Sequence, residues 1–320
     1  MTAPVLVTGA IRSGTTWVGR MLCLSNQLAY IHEPFNPWRW PGWARERFPH
    51  ELVYVNKENE DTYLPIVRDV MEMRFPLMQH VREIRDPRHV WRVARDWQRS
   101  VRYSLHGWPP LLKDPDALFS AEWLAERFDL QVVVMIRHPA GFASSIKRLE
   151  WALLPAMWIW QDALMRDYLS PYADELRGFK ARTDTDIIDQ AILAWKSLYH
   201  VVRHYRELHP EWHFVRLEDV AGDPLAHFQD LYDKLGLRWD DRVVAGIKEH
   251  STTANPAEVP ANRFRTIKRD SRAARATWVS RLSEEEVQRI HAGVDPVARF
   301  FYPASDWGGS VPDPGRDQTT

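Results

Sequence analysis

Apolar residues first gather at Pro4–Thr8 (PVLVT), a short valine-rich run that stops at Gly9. A run of this kind with no polar alternation reads as a parallel strand buried on both faces. Pro109–Lys113, ended by Asp114 and Pro115, is a second brief apolar run, His213–Leu217 reads as another strand, and Gln131–Ile136 (QVVVMI) carries the strongest strand signal. Between these runs the spacing of apolar positions becomes helical. Helices are predicted over Thr15–Leu24, from an N-cap at Ser120 to Phe128, after Pro139, over Asp186–Leu208, and over Asp223–Leu235, where Gly236 stops the last one. Thr62–Arg102 also holds helical stretches, with breaks expected near Pro65, Pro76 and Pro87. Pro34–Pro49 has four prolines and the tryptophans Trp38, Trp40 and Trp43, so it reads as a loop on the substrate side. Strands alternating with helices predict an α/β fold, a parallel sheet covered by helices.

Composition narrows this picture. The 320 residues are 45% apolar and 27% charged, as in a soluble chain that buries a core. Lysine and arginine (42) cancel aspartate and glutamate (43), so no global field points to nucleic acid or an anionic membrane. Positive charge is uneven, however: Arg82–Arg102 holds seven arginines, and Arg263–Arg275 is similarly rich. The first stretch reads as a solvated helix face, or else as a receptor for an anionic acceptor. A single cysteine, Cys23, excludes an intramolecular disulfide, fits a reducing compartment and reads as a core residue. No stretch approaches a membrane span and the amino terminus lacks a signal-peptide pattern, so a cytoplasmic protein is expected. One domain is expected over 1–307, with an insertion at about 34–108 on the acceptor side, and a disordered tail at 308–320.

Candidate chemistry begins where the first strand ends. Gly9-Ala10-Ile11-Arg12-Ser13-Gly14-Thr15-Thr16 has the outline of a P-loop, in which backbone amides and a helix N-terminus cradle an anion. The lysine that grips terminal phosphates in nucleoside triphosphatases is replaced by Thr15, and a cation stands inside the loop as Arg12. That set of groups suits a 5′-phosphate better than a γ-phosphate with its metal. Arg12-Ser13-Gly14-Thr15-Thr16-Trp17 resembles the 5′-phosphosulfate loop of sulfotransferases that use 3′-phosphoadenosine 5′-phosphosulfate (PAPS). The resemblance implies a P-loop-type parallel sheet flanked by helices, with helical and loop insertions on the acceptor side. It also implies that Arg12 meets the bridging oxygen and the transferring sulfuryl group, while Ser13 to Thr16 bind the 5′-phosphate.

A second strand–turn–helix follows at Gln131–Ser145. Arg137 stands at the strand's carboxyl end, where open α/β sheets bind ligands, and Ser145 lies about two helical turns on. The pair is similar to the family's 3′-phosphate signature, and two anion pockets are what a 3′,5′-bisphosphate requires. Arg263–Trp278 occupies the place of the family's cofactor-closing loop, with Lys268 and Arg269 as candidate phosphate ligands.

A base must accept the acceptor's proton. Glu33, in Tyr30-Ile-His-Glu-Pro34, follows Arg12 by the length of one helix and a returning strand. The Glu-Pro pair resembles carbohydrate, glycolipid and protein-tyrosine sulfotransferases whose base is a glutamate here. The rival segment is Lys113-Asp114-Pro115, where the small-molecule branch has Lys-Thr-His; Pro115 stands in place of that histidine. His32 is expected to face away from Glu33, because consecutive strand residues alternate. The thirteen histidines show no metal-ligand spacing, so no metal is expected. Together these readings predict a PAPS-dependent transfer of a sulfuryl group to a hydroxyl of a small molecule, carbohydrate or glycolipid. A P-loop kinase or nucleotidase and a non-catalytic nucleotide-binding module remain as alternatives.

Overall fold

The computed structural model describes residues 2–84, 86–151, 155–180, 186–258 and 267–307. The expected tail at 308–320 lies outside them, as do residues 263–266 of the basic segment. In chain order the described elements run β1 (Val5–Gly9), α1 (Thr15–Leu22), β2 (Ala29–His32), α2 (Glu60–Met71), α3 (Leu77–Glu83), α4 (Pro87–His106), β3 (Pro110–Lys113), α5 (Ala121–Phe128) and β4 (Gln131–Ile136). There follow α6 (Pro139–Leu149), the single turn α7 (Asp162–Leu164), α8 (Ala173–Lys180), α9 (Ile187–Leu208), β5 (His213–Arg216), α10 (Leu217–Gly222), α11 (Pro224–Lys234), α12 (Asp241–Ser251), α13 (Ser271–Arg275) and α14 (Glu284–Ala298).

The five strands form one sheet in the order β2-β3-β1-β4-β5. The β2–β3, β3–β1 and β1–β4 ladders are all parallel. Every residue of β1 and β3 is buried, which is why those strands read as apolar runs without alternation. From β1 the chain runs outward to β2, returns to β3 beside β1, and then crosses to β4 on the other flank. The carboxyl ends of β1 and β4 therefore border a point where connections depart in opposite directions, the usual ligand site of such sheets.

The chain divides into two compact units. The first comprises 1–135, 211–215 and 223–249, and holds the sheet, with α1 packed on β1 and β3 and α5 on β1. The second comprises 136–210, 216–222 and 250–320, where α6, α9 and α14 pack on one another around the fully buried Trp195 and Tyr199.

Local chemistry explains where elements begin and end, and corrects two expectations. Pro65 does not break its helix: α2 runs through it from Glu60 to Met71, with the loss of the one bond its missing N–H would make. The breaks at Pro76 and Pro87 do occur, with Pro76 as the N-cap of α3 and Pro87 opening α4 behind an Asp86 cap. Ser120 precedes α5 but does not cap it. Its hydroxyl donates to Val53 O (2.6 Å) and accepts from Val55 N (2.9 Å), stitching a distant loop instead. Asp186 and Asp223 do cap α9 and α11, and Gly236 stops α11's segment with a φ of 63°.

Gly9 is demanded by the sheet itself. Its φ is 135°, and a Cβ there would lie 2.3 Å from Met135 O on the adjacent strand. Gly9→Ala is expected to destabilise the protein by roughly 2–4 kcal/mol, from overpacking plus backbone strain. A denaturation midpoint equal to that of the wild type would show that this contact relaxes freely.

Candidate active site

The first site is the loop between β1 and α1. Three residues have left-handed backbone: Gly9, Arg12 (φ 66°) and Gly14 (φ 91°). They turn the chain tightly enough for Ser13 N to donate to Ala10 O at 3.1 Å. A non-glycine residue at positive φ carries strain, which tends to persist at functional positions. Ser13 is fully buried, yet its Oγ has no hydrogen-bond partner, and neither has the buried Nε1 of Trp17. Trp17 is held edge-on against Phe228, ring centroids 5.3 Å apart. The first turn of α1 contains no acidic side chain, so its amide end favours an anion. Two orphaned buried donors cost about 1–3 kcal/mol each unless an acceptor meets them. The cradle fits a group rich in acceptor oxygens, such as a phosphate or sulfate.

Beside the loop, parallel pairing brings the carboxyl ends of β2 and β3 together. His32 pairs with Lys113, and Glu33 N donates to Lys113 O at 2.9 Å. Thr8 Oγ1 donates to Asp114 O (2.8 Å) and Asp114 N to Val7 O (3.0 Å), which ties the end of β3 to the strand that enters the loop. Here the Glu33 carboxylate forms an ion pair with Lys113 Nζ. Its other oxygen accepts from Asn36 Nδ2 at 3.2 Å and lies 3.8 Å from Arg39 Nε. Burial pushes the Lys113 ammonium below its ordinary range, and the Glu33 charge opposes that shift.

The expectation that His32 faces away from Glu33 fails. His32 Nε2 lies 3.8 Å from Glu33 Oε2. Glu33 stands just past the end of β2 with a φ of 52°, so strand alternation no longer governs its side chain. Lys113 and Asp114 also turn out to be partners of the Glu33 segment as well as rivals to it. Asp114 Oδ2 accepts from Phe35 N (2.6 Å) and Oδ1 from Asp116 N (3.0 Å), fixing the chain that leaves Glu33. Burial, then the nearby Glu33 charge, push the Asp114 carboxyl up to about 7. Burial and Asp114 likewise raise Asp116.

The three loop tryptophans separate. Trp43 is core, stacked on Tyr103 at 6.3 Å, and Trp40 donates from Nε1 to Glu83 (2.5 Å). Trp38 stands exposed under the Arg47 guanidinium, 5.6 Å away.

The second unit holds a basic cluster. Arg137 is anchored by its backbone, its N–H bonded to Tyr199 OH (2.8 Å) and its carbonyl to Trp195 Nε1 (3.0 Å). Its side chain crosses the first turn of α6, where Nε lies 3.3 Å from the place of a Cβ on Gly141. Ser145 is one turn further along, on the same helix face as Gly141, and is buried. Burial lowers Arg137 below the usual guanidinium range, with the buried Glu218 opposing. Arg269 is lowered too, first by burial and then by the like charges of Arg137, Arg148 and Arg281. Four guanidiniums thus share one neighbourhood, offset in part by Glu258, which pairs with Arg281, and by Glu218 beside Arg137, and a bound anion would stabilise it further. Lys268 is exposed. His138, stacked on Trp278 at 5.3 Å, is kept neutral because burial and then Arg216 and Arg137 push it to about 3.

Sequence reasoning missed Arg39, Arg148 and Arg281. Arg148 lies three residues past Ser145 on α6 and was legible by helical spacing. Arg281, whose Nη1 donates to Ser144 Oγ at 3.3 Å, had no local signal. Among the described residues no group of three or more His, Cys, Asp or Glu side chains is placed to hold a metal ion, and no helix is long and apolar enough to cross a membrane.

No curated protein sequence matches the chain. Similar solved structures include a sulfotransferase domain from the curacin biosynthetic pathway (14% identity, 92% of this chain, 98% of that one, TM-score 0.46). Another is the sulfotransferase domain of the Synechococcus PCC 7002 olefin synthase (13%, 94% and 95%, TM-score 0.45). A third is the sulfotransferase STF1 of Mycobacterium tuberculosis H37Rv (17%, 86% and 77%, TM-score 0.37). The profile of the sulfotransferase family matches residues 4–241, nearly three quarters of the sequence and including the loop, Glu33, Lys113, Arg137 and Ser145, and the chain belongs to that family.

Proposed function

We propose that the protein transfers a sulfuryl group from PAPS to a hydroxyl on a small-molecule, carbohydrate or glycolipid acceptor. The observation that carries this reading is the buried, unpartnered Ser13 Oγ inside a loop that has Arg12 but no Walker lysine. PAPS offers two anionic ends, and on this reading the amide-lined loop and the basic cluster receive one each. The loop from Arg12 to Trp17 takes the 5′-phosphosulfate, and Arg137 and Ser145, with Arg269 or Lys268, take the 3′-phosphate.

Bound PAPS supplies an activated sulfuryl group. The acceptor oxygen forms a new bond to sulfur as the bond from sulfur to the bridging phosphate oxygen breaks, in line, through a loose transition state. Arg12 and the loop amides neutralise charge growing on the departing phosphate. Glu33 takes the acceptor's proton, leaving adenosine 3′,5′-bisphosphate and the sulfate ester. Lys113 and Arg39 hold the Glu33 carboxylate in place until the acceptor hydroxyl arrives. The single cysteine accords with a cytoplasmic setting.

Calorimetry with adenosine 3′,5′-bisphosphate tests the donor. Micromolar binding that ignores Mg²⁺ is expected, weakened about 10–100-fold by Arg137→Gln, as for loss of a charged hydrogen bond. Mg²⁺-dependent ATP turnover would establish a kinase or nucleotidase instead. Tight bisphosphate binding with no sulfate transfer to any hydroxyl in an acceptor panel would establish a binding module.

A further inference from the structure

Helix α4 presents an unusual surface. The residues it buries are Val93, Asp96, Ser100 and Tyr103, of which one is aliphatic. Its large apolar side chains point outward: Val90 (49% exposed), Trp91 (67%), Trp97 (45%), Val101 (43%) and Leu105 (80%). At 100° per residue, Val90, Trp97, Val101 and Leu105 share one sector of the helix. Arg88, Arg95 and Arg102, seven residues apart, form a second sector with Trp91 at its border, and the buried residues form the third. Neighbouring α3, which packs on α4, adds exposed Met78 (68%) and Val81 (52%).

The charge on this face is predominantly positive. Between Leu77 and His106 there are seven arginines and three carboxylates. All three carboxylates are committed: Asp86 caps the Arg88 amide (2.8 Å), Glu83 accepts from Trp40, and buried Asp96 is chelated by Arg95 (2.8 and 3.0 Å). Among the described residues Arg82, Arg88 and Arg102 are exposed against one exposed carboxylate, Glu83, so the outward charge is net positive.

We infer that α3 and α4 dock the protein on the surface of an anionic phospholipid bilayer. A basic amphipathic helix with tryptophan and leucine on its apolar side lies in the headgroup plane, its arginines reaching the phosphates. Charge complementarity selects this occupant. A second copy of the chain would set one arginine row against another. An acidic helix would have to seat two indoles in a helix-pair seam, whereas tryptophan belongs at the bilayer interface. The inference is independent of the donor and of Glu33.

Vesicle co-sedimentation of the full chain tests it. Phosphatidylcholine vesicles containing phosphatidylglycerol are expected to bind the protein, and pure phosphatidylcholine is expected to bind it far less. Arg88→Gln with Arg102→Gln should weaken binding about 30-fold, at about 1 kcal/mol per arginine. Trp97→Ser with Leu105→Ser should abolish it while leaving the denaturation midpoint in place, since both residues are on the surface. The inference is overturned by no binding to anionic vesicles at low salt, by equal binding to neutral ones, or by variants that bind like wild type. A doubled mass in light scattering that the Trp97/Leu105 variant reduces to a monomer would assign the face to a second copy instead.

Discussion

Glu33→Gln is expected to lower kcat for sulfate transfer by about 10²–10⁴-fold, the range of one positioned proton acceptor, while bisphosphate affinity changes little. The amide keeps the shape and the contact to Asn36 but cannot take a proton. It also removes the counter-charge of Lys113, which is 1% exposed, and a buried ammonium without its partner tends to lose its proton. Two explanations of a slow enzyme therefore have to be separated. If Glu33 serves only to keep Lys113 charged and placed, Glu33→Gln combined with Lys113→Met should recover part of the activity. As the base, Glu33 leaves the double variant no faster than the single one. A Glu33→Gln enzyme with nearly wild-type kcat would remove the carboxylate from the chemistry altogether.

Arg12 allows a sharper separation of function from stability. Arg12→Ala is expected to lower kcat/KM by about 10²–10³-fold and to weaken bisphosphate binding as well, because the guanidinium is the loop's one cation and, in the proposed mechanism, meets developing charge. Its backbone φ of 66° costs a non-glycine residue about 1–2 kcal/mol. Arg12→Gly removes that strain at the expense of greater freedom in the unfolded chain. The glycine variant should therefore be as inactive as the alanine one yet unfold no earlier than wild type. Activity that survives both substitutions would place the cation elsewhere. A large loss of stability in Arg12→Gly would mean that the side chain serves the fold.

The strands and most helices were legible because their signals are local. PVLVT and QVVVMI lie side by side in the sheet, buried as their lack of alternation predicted. Asp186, Asp223 and Gly236 act where their backbone preferences place them. Ser120 misled because a hydroxyl that suits a cap equally suits a loop 65 residues away, and only the folded chain chooses between them. His32 misled because alternation holds only inside a strand, and β2 ends one residue before Glu33.

By itself, then, the sequence determined the kinds of local structure and the make-up of the loop: glycines at P-loop spacing, Thr15 where a nucleoside triphosphatase has its lysine, and a cation, Arg12, inside the loop. Tertiary structure alone decided the electrostatics. It set Lys113 against Glu33 across 80 residues, brought Arg281 beside Ser144 across 137, and turned the tryptophans of α4 outward. Local preference acts through backbone sterics and neighbouring hydrogen bonds, which a short window of sequence contains. Desolvation and charge pairing depend on which distant groups share a low-dielectric space, and that follows only from the register and order of the strands.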